Sequence, residues 1–127
     1  MTGDCFPVRP GEGYIIRTMS SARLNYASFE LASPAPLSLS KGWNLIGING
    51  MDKEYTAESF LDTVNEHKGF TVDNISRWRT DASRYDGVQK DKKEDGTYST
   101  FGFDFPLTNR DGYFLRVTEG NGVFDWD

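Results

Sequence analysis

Short apolar runs broken by polar turn residues recur along this chain, the pattern of short strands, and one run alternates with a period of two. Short β-branched and aromatic runs occur at residues 13–18 (GYIIRT) and 24–31 (LNYASFEL), followed by SPAP, whose prolines predict a bend or a sheet edge. LSL (37–39) and WNLIGI (43–48) flank SKG and predict a hairpin, while TVDNISRW (71–78) reads as a weaker strand. The clearest alternation is TYSTFGFDF (97–105), which places Phe101, Phe103 and Phe105 on one face and Tyr98, Thr100 and Asp104 on the other. GYFLRV (112–117) and VFDW (123–126) close the series.

One segment changes period. Ala57, Phe60, Leu61 and Val64 recur at i, i+3, i+4 and i+7, which predicts an amphipathic helix over 57–68. Thr56 is placed to cap it, and Glu58 lies where the helix dipole favours a carboxylate. Tyr55 and Phe60 have the spacing of a hydrophobic staple, His67 and Lys68 stand near the C-terminal end, and Gly69 can supply a left-handed cap. Residues 80–96 (TDASRYDGVQKDKKEDG) are polar and predict a long loop or a hairpin projecting into solvent. The expected fold is mainly β, an antiparallel sandwich or barrel-like domain with one short helix.

The chain has 127 residues, suited to one domain with its own core. Hydrophobic residues at 37% and charged residues at 26% are ordinary for a folded domain, and 13 glycines and five prolines fit many turns between short strands. A net charge of −5 without a basic stretch argues against nucleic acid and against anionic membranes. No apolar run approaches the roughly 20 residues that span a bilayer, so no membrane insertion is expected. The opening MTGDCFPVRPGEGY lacks the features of a signal peptide, so a targeting segment is expected elsewhere in a longer parent. A single cysteine, Cys5, leaves no internal disulfide and does not fix the redox compartment.

The chain echoes itself. FPVRPGEGYIIRT (6–18) aligns without gaps to FPLTNRDGYFLRV (105–117), sharing Phe, Pro, Gly, Tyr and Arg. This suggests that residues 1–35 are the closing strand and connector of a preceding repeat, and that 36–127 form a complete β-rich repeat. Two similar strands within one compact fold is the other explanation. Taken in order, KGWNLIGI, YTAESFLDTVN, a segment ending in RW, and FPLTNRDGYFLRV resemble the repeated GWNLI…GYF-type β domain of bacterial and archaeal secreted and cell-surface proteins. The resemblance implies an extracellular setting, tandem copies, and attachment to larger proteins beside adhesive or carbohydrate-active modules. It brings no catalytic residue with it. Between Arg79 and Thr100 the chain departs from that pattern, carrying a longer charged stretch.

Candidate chemistry is sparse. His67 is the sole histidine and Cys5 lies far from it in sequence, so a nucleophile–base pair has little support. No pair among the 19 acids stands out as a glycosidase dyad. Asp91, Glu94 and Asp95 before Gly96 offer oxygen ligands that calcium accepts, but Lys90, Lys92 and Lys93 oppose a cation and a solvated charged hairpin explains them better. No metal or other cofactor is expected.

Aromatic residues reach 14%, and flat rings stack on the apolar faces of sugars. Trp43 reads as core. Trp78 stands between Arg77 and Arg79, Tyr85 and Tyr98 border the polar insertion, and Trp126 is placed to be exposed or to pack on a following domain. The leading expectation is a non-catalytic module binding a polysaccharide or surface glycan through Trp78, Tyr85 and Tyr98, with Arg79 and Asp81 as polar partners. The second is a spacer or assembly repeat stacking on its neighbours through Trp126 and the N-terminal strand. The third is a small glycosidase.

Overall fold

The computed structural model describes residues 12–16, 35–48, 51, 53–67, 69–79, 81–109 and 111–126. Among them, seven strands and one helix follow in the order β1 (Leu37–Leu39), β2 (Gly42–Gly47), α1 (Ala57–Glu66), β3 (Thr71–Arg79), β4 (Arg84–Lys92), β5 (Tyr98–Gly102), β6 (Gly112–Glu119) and β7 (Gly122–Phe124). The predicted strand over 24–31, Cys5 and Lys68 lie outside the described residues, as does most of the N-terminal copy of the echo.

The fold is mainly β, with two antiparallel sheets and the helix in a sandwich-like arrangement that does not close into a barrel. One sheet has the order β2-β6-β3-β4-β5, and the other pairs β1 with β7. The helix lays Ala57, Phe60, Leu61 and Val64 against one face of the large sheet, where Ile46, Val72, Ile75, Val88, Leu115 and Val117 are buried beneath them. Removing this apolar area from water is the main driving force for the arrangement.

The helix begins as its sequence requires. The Thr56 side chain accepts from the Ser59 backbone N–H, and the Ser59 hydroxyl accepts from the Thr56 N–H, a reciprocal capping box. Tyr55 meets Phe60 edge-on with ring centroids 6.2 Å apart, completing the staple. The helix ends at Glu66, two residues short of the predicted limit, because the backbone of His67 is already extended. Asn65 then joins helix to sheet, its amide exchanging two hydrogen bonds with the Val72 backbone. Thr56→Ala removes the cap and is expected to lower stability by about 1 kcal/mol, read as a shift in the urea midpoint at unchanged slope.

Several elements differ from their local pattern. The two runs around SKG form no hairpin, since β1 pairs with β7 while β2 pairs with β6. Asn44 explains the corner. Its side chain accepts from the Ser40 N–H and donates to the Ser40 and Gly42 carbonyls, fixing a bend where Gly42 has φ +106°. Of the two expectations for the polar stretch beyond Thr80 the hairpin holds, since β4 turns at residues 93–97 into antiparallel β5. The stretch supplies β4, next to the sheet edge, with Val88 and Lys90 pointing inward. Lys90 is tolerated there because its ammonium meets Asp62 and Glu58 of the helix. The run TVDNISRW forms β3, the central strand of the sheet rather than a weak one.

The run 97–105 is not one strand with a buried phenylalanine face. β5 ends at Gly102, whose φ of +97° breaks the alternation, so that Phe105 is buried while Phe101 and Phe103 are exposed. Of the N-terminal copy of the echo, Glu12 bridges Ile46 and the Gly13 N–H donates to the Leu45 carbonyl, which sets residues 12–13 against β2, while residues 13–16 form no strand. Trp126, a candidate for a joint with another domain, is buried here. Its indole N–H donates to the Ala35 carbonyl and its ring packs on Phe60 and Phe124.

Candidate aromatic site on the outer sheet face

Side chains paired across strands share a face, so the register decides which rings look outward. Leu45 pairs with Phe114, Phe114 with Ser76, Ser76 with Gly87, and Trp78 with Tyr85. All of these stand on the face away from the helix, because their neighbours Ile46, Ile75, Val88 and Leu115 fill the core. The result is an open aromatic surface. Trp78 is 50% exposed and Tyr85 58%, and their rings meet edge-to-face with centroids 4.9 Å apart. Phe114 continues the cluster, 5.7 Å from Tyr85.

A groove of about 830 Å³ runs from this cluster over the end of the sheet. Trp78, Tyr85, Phe114 and Leu45 line its outer part, and Arg77, Arg79 and Tyr113 come from the helix side. Tyr14, Ile15 and Ile16 of the N-terminal segment form another wall, with Asp81 and Asp111 at the rim.

Three arginines, Arg77, Arg79 and Arg84, share two aspartates, Asp81 and Asp86, beside the groove. Arg79 grips Asp81 through two parallel hydrogen bonds, one of them Nε to Oδ1 at 3.1 Å. The hydrogen bond from Arg79 holds the Asp81 carboxyl below its ordinary value, and Asp81 in turn raises Arg79. Asp86 is shared by Arg77 and Arg79 at 3.5 Å and by Arg84 at 3.3 Å. The Arg77 guanidinium also lies over the Phe105 ring at 4.3 Å, which offsets a buried Nε without a hydrogen-bond partner. Such pairing fixes donors and acceptors in place. They suit hydroxyl groups.

Of the residues singled out from sequence, Trp78, Tyr85, Arg79 and Asp81 converge on this groove, whereas Tyr98 does not. Tyr98 pairs with Lys92, two residues along β4 from the inward-pointing Lys90, so it stands on the helix side of the sheet. Trp43, read as core, is 56% exposed on the outer face. The alternation holds the signal for this, since Ile46 and Ile48 inward require Trp43 and Leu45 outward. Phe114 and Arg116 follow by the same rule from Tyr113, Leu115 and Val117.

Further along the outer face lies a polar network. Arg116 donates to both Asp73 oxygens, Nε to Oδ1 at 2.7 Å. Gln89 donates to Asp73 at 3.1 Å and Asp91 at 2.9 Å, and accepts from Asn74 at 2.8 Å. A bulge where β3 meets β6 sets Asp73 beside Asn74. Burial alone would raise the Asp73 carboxyl, but the Arg116 and Gln89 hydrogen bonds outweigh it and hold the group below its ordinary value. Its stabilising contribution is therefore present above the unfolded carboxylate value and lost as pH falls through the lower folded one. Asp73→Asn should flatten the acid limb of stability, measured by urea unfolding between about pH 4 and about pH 2.

Two other candidates do not form sites. Asp95 uses its carboxylate on the Thr97 N–H and hydroxyl at the β4–β5 turn, and no group of three or more metal-ligating residues occurs among the described residues. His67 packs against Phe70 and Phe124, away from the groove. Among the described residues no helix is long and apolar enough to cross a membrane. The chain matches no protein-family model, no curated protein and no solved structure.

Proposed function

We propose that this protein is a non-catalytic module that binds a polysaccharide or surface glycan on the outer face of its large sheet. The observation that carries this is the half-exposed Trp78–Tyr85 pair beside an open groove where Arg79 and Asp81 are held in place by each other. Exposed rings of this size on an ordered sheet are poorly explained by the core, which is complete without them. Stacking on the apolar face of a pyranose uses the ring, and the fixed polar groups suit the hydroxyls.

Catalysis has less support. Asp81 and Asp111 both line the groove, but Arg79 lowers Asp81, the reverse of what a glycosidase acid needs. A spacer built on a Trp126 joint loses its anchor, because that indole is buried within the chain's own core. A secreted or cell-surface setting and tandem copies belong to the same proposal and rest on the motifs that resemble surface-protein repeats.

The test is tryptophan fluorescence during titration with soluble β-glucans, xylans and mannans. Saturable quenching that disappears in Trp78→Ala, with the fold retained, supports glycan binding. No response across the panel overturns it.

A further inference from the structure

The exposed rings do not end at Trp78 and Tyr85. Two residues from Leu45 along β2, Trp43 stands on the same face, with the Arg116 guanidinium 5.4 Å from its ring centre. It opens a second row that crosses the sheet. Trp43 pairs with Arg116, Arg116 with Asn74, Asn74 with Gln89, and Gln89 with Phe101. The row thus carries an exposed ring at each end and hydrogen-bonding groups between them.

Between the two rows the floor is low on the β3–β4 side. Ser76 and Gly87 lie side by side there, and a Cβ on Gly87 would come within 2.6 Å of the Ser76 hydroxyl oxygen. From Trp78 to Trp43 is four residues along the strands and two strand spacings across, roughly 16 Å by standard sheet dimensions. That exceeds the span of one sugar ring several times over.

We infer that the outer face holds two aromatic subsites, Trp78–Tyr85 and Trp43, that are bridged by one extended, linear, uncharged glycan. This deepens the proposed function and rests on it. Three features select the ligand. The two ring sites are continuous through Phe114 and Leu45. Beside Phe114, on the β3–β4 side of that line, Ser76 and Gly87 carry no large side chain that would block a chain. The two arginines that flank the path are paired, Arg116 with Asp73 and Arg79 with Asp81, which disfavours a uronate or sulfate as a partner for either. A short oligosaccharide fills only the first subsite, and a longer one gains the second without a new association cost.

The experiment is a titration of the whole chain and of Trp43→Ala with length series of β-gluco-, xylo- and manno-oligosaccharides, each from disaccharide to hexasaccharide, by calorimetry. Affinity should rise with length. Trp43→Ala should lose about tenfold or more on the hexasaccharide, the scale of one well-placed interfacial ring, and little on the disaccharide. Circular dichroism would verify the fold of the variant. If disaccharide and hexasaccharide bind alike, or if Trp43→Ala affects neither or both equally, the two-subsite inference is overturned while glycan binding stands. If no sugar binds even the intact chain, the proposed function itself fails. Concentration-dependent self-association abolished by Trp43→Ala, with no sugar effect, would instead assign the face to a second copy and overturn the inference.

Discussion

Trp78→Ala should weaken glycan binding by about 2 kcal/mol or more, roughly thirtyfold, while leaving the fold in place. The two parts of this expectation have different origins. The ring is half exposed and contributes to folding chiefly through its cross-strand contact with Tyr85, the kind of pair worth about 0.2–1 kcal/mol. In a complex the same ring would be covered on its free side, and a desolvated aromatic anchor near the centre of a contact carries a disproportionate share of affinity. Tyr98→Ala is the informative control, because Tyr98 has similar exposure but stands on the opposite sheet face. Calorimetry on both variants separates a local platform from a general aromatic effect. Equal losses in the two would place the ligand somewhere other than the outer face.

The second large effect concerns stability. Phe60→Ala is expected to cost about 3–5 kcal/mol, a large part of the roughly 5–15 kcal/mol available to a domain. Phe60 is fully buried and joins three parts of the fold. Its ring meets Tyr55 before the helix, Phe124 of β7 at 6.1 Å and Trp126 at 5.2 Å. Truncation leaves a cavity at the point where the small sheet and the C-terminal segment close on the helix, so the protein cannot relax locally to fill it. Urea unfolding should show a lower midpoint, and Trp126 emission should move to longer wavelength as water reaches the indole. Phe103→Ala provides the comparison. With 80% of its surface exposed, Phe103 should change stability by no more than about 0.5 kcal/mol. Matching shifts in the two variants would refute the role assigned to Phe60.

Local chemistry is enough to read the helix and most of the strands. A capping threonine, a staple pair and a period of 3.6 act within a few residues, so Thr56, Tyr55 and the Phe60–Leu61–Val64 stripe mean in the sequence what they mean in the fold. The runs 37–39, 43–48, 71–78 and 112–117 become strands near their predicted limits for the same reason. The β-rich class and the choice of Trp78, Tyr85, Arg79 and Asp81 also come from the chain alone. Which of those residues meet does not. A period of two shows that a strand has two faces, but the layer packed against it decides which face is inside, and that layer comes from distant residues. Without that layer Trp43 reads as core, although alternation sets it on the face opposite Ile46 and Ile48, and Tyr98 groups with rings it never meets. The polar run after Thr80 carries no apolar signal strong enough for a strand, yet backbone pairing with β3 and β5 and the helix carboxylates around Lys90 make it one. Phe101, Phe103 and Phe105 part at Gly102 because a single left-handed residue ends the alternation. The sequence alone determined the kind of most elements, β4 excepted, through contacts a few residues apart. Register and the side facing water were decided by the tertiary structure, because hydrogen bonds and burial between remote segments set both.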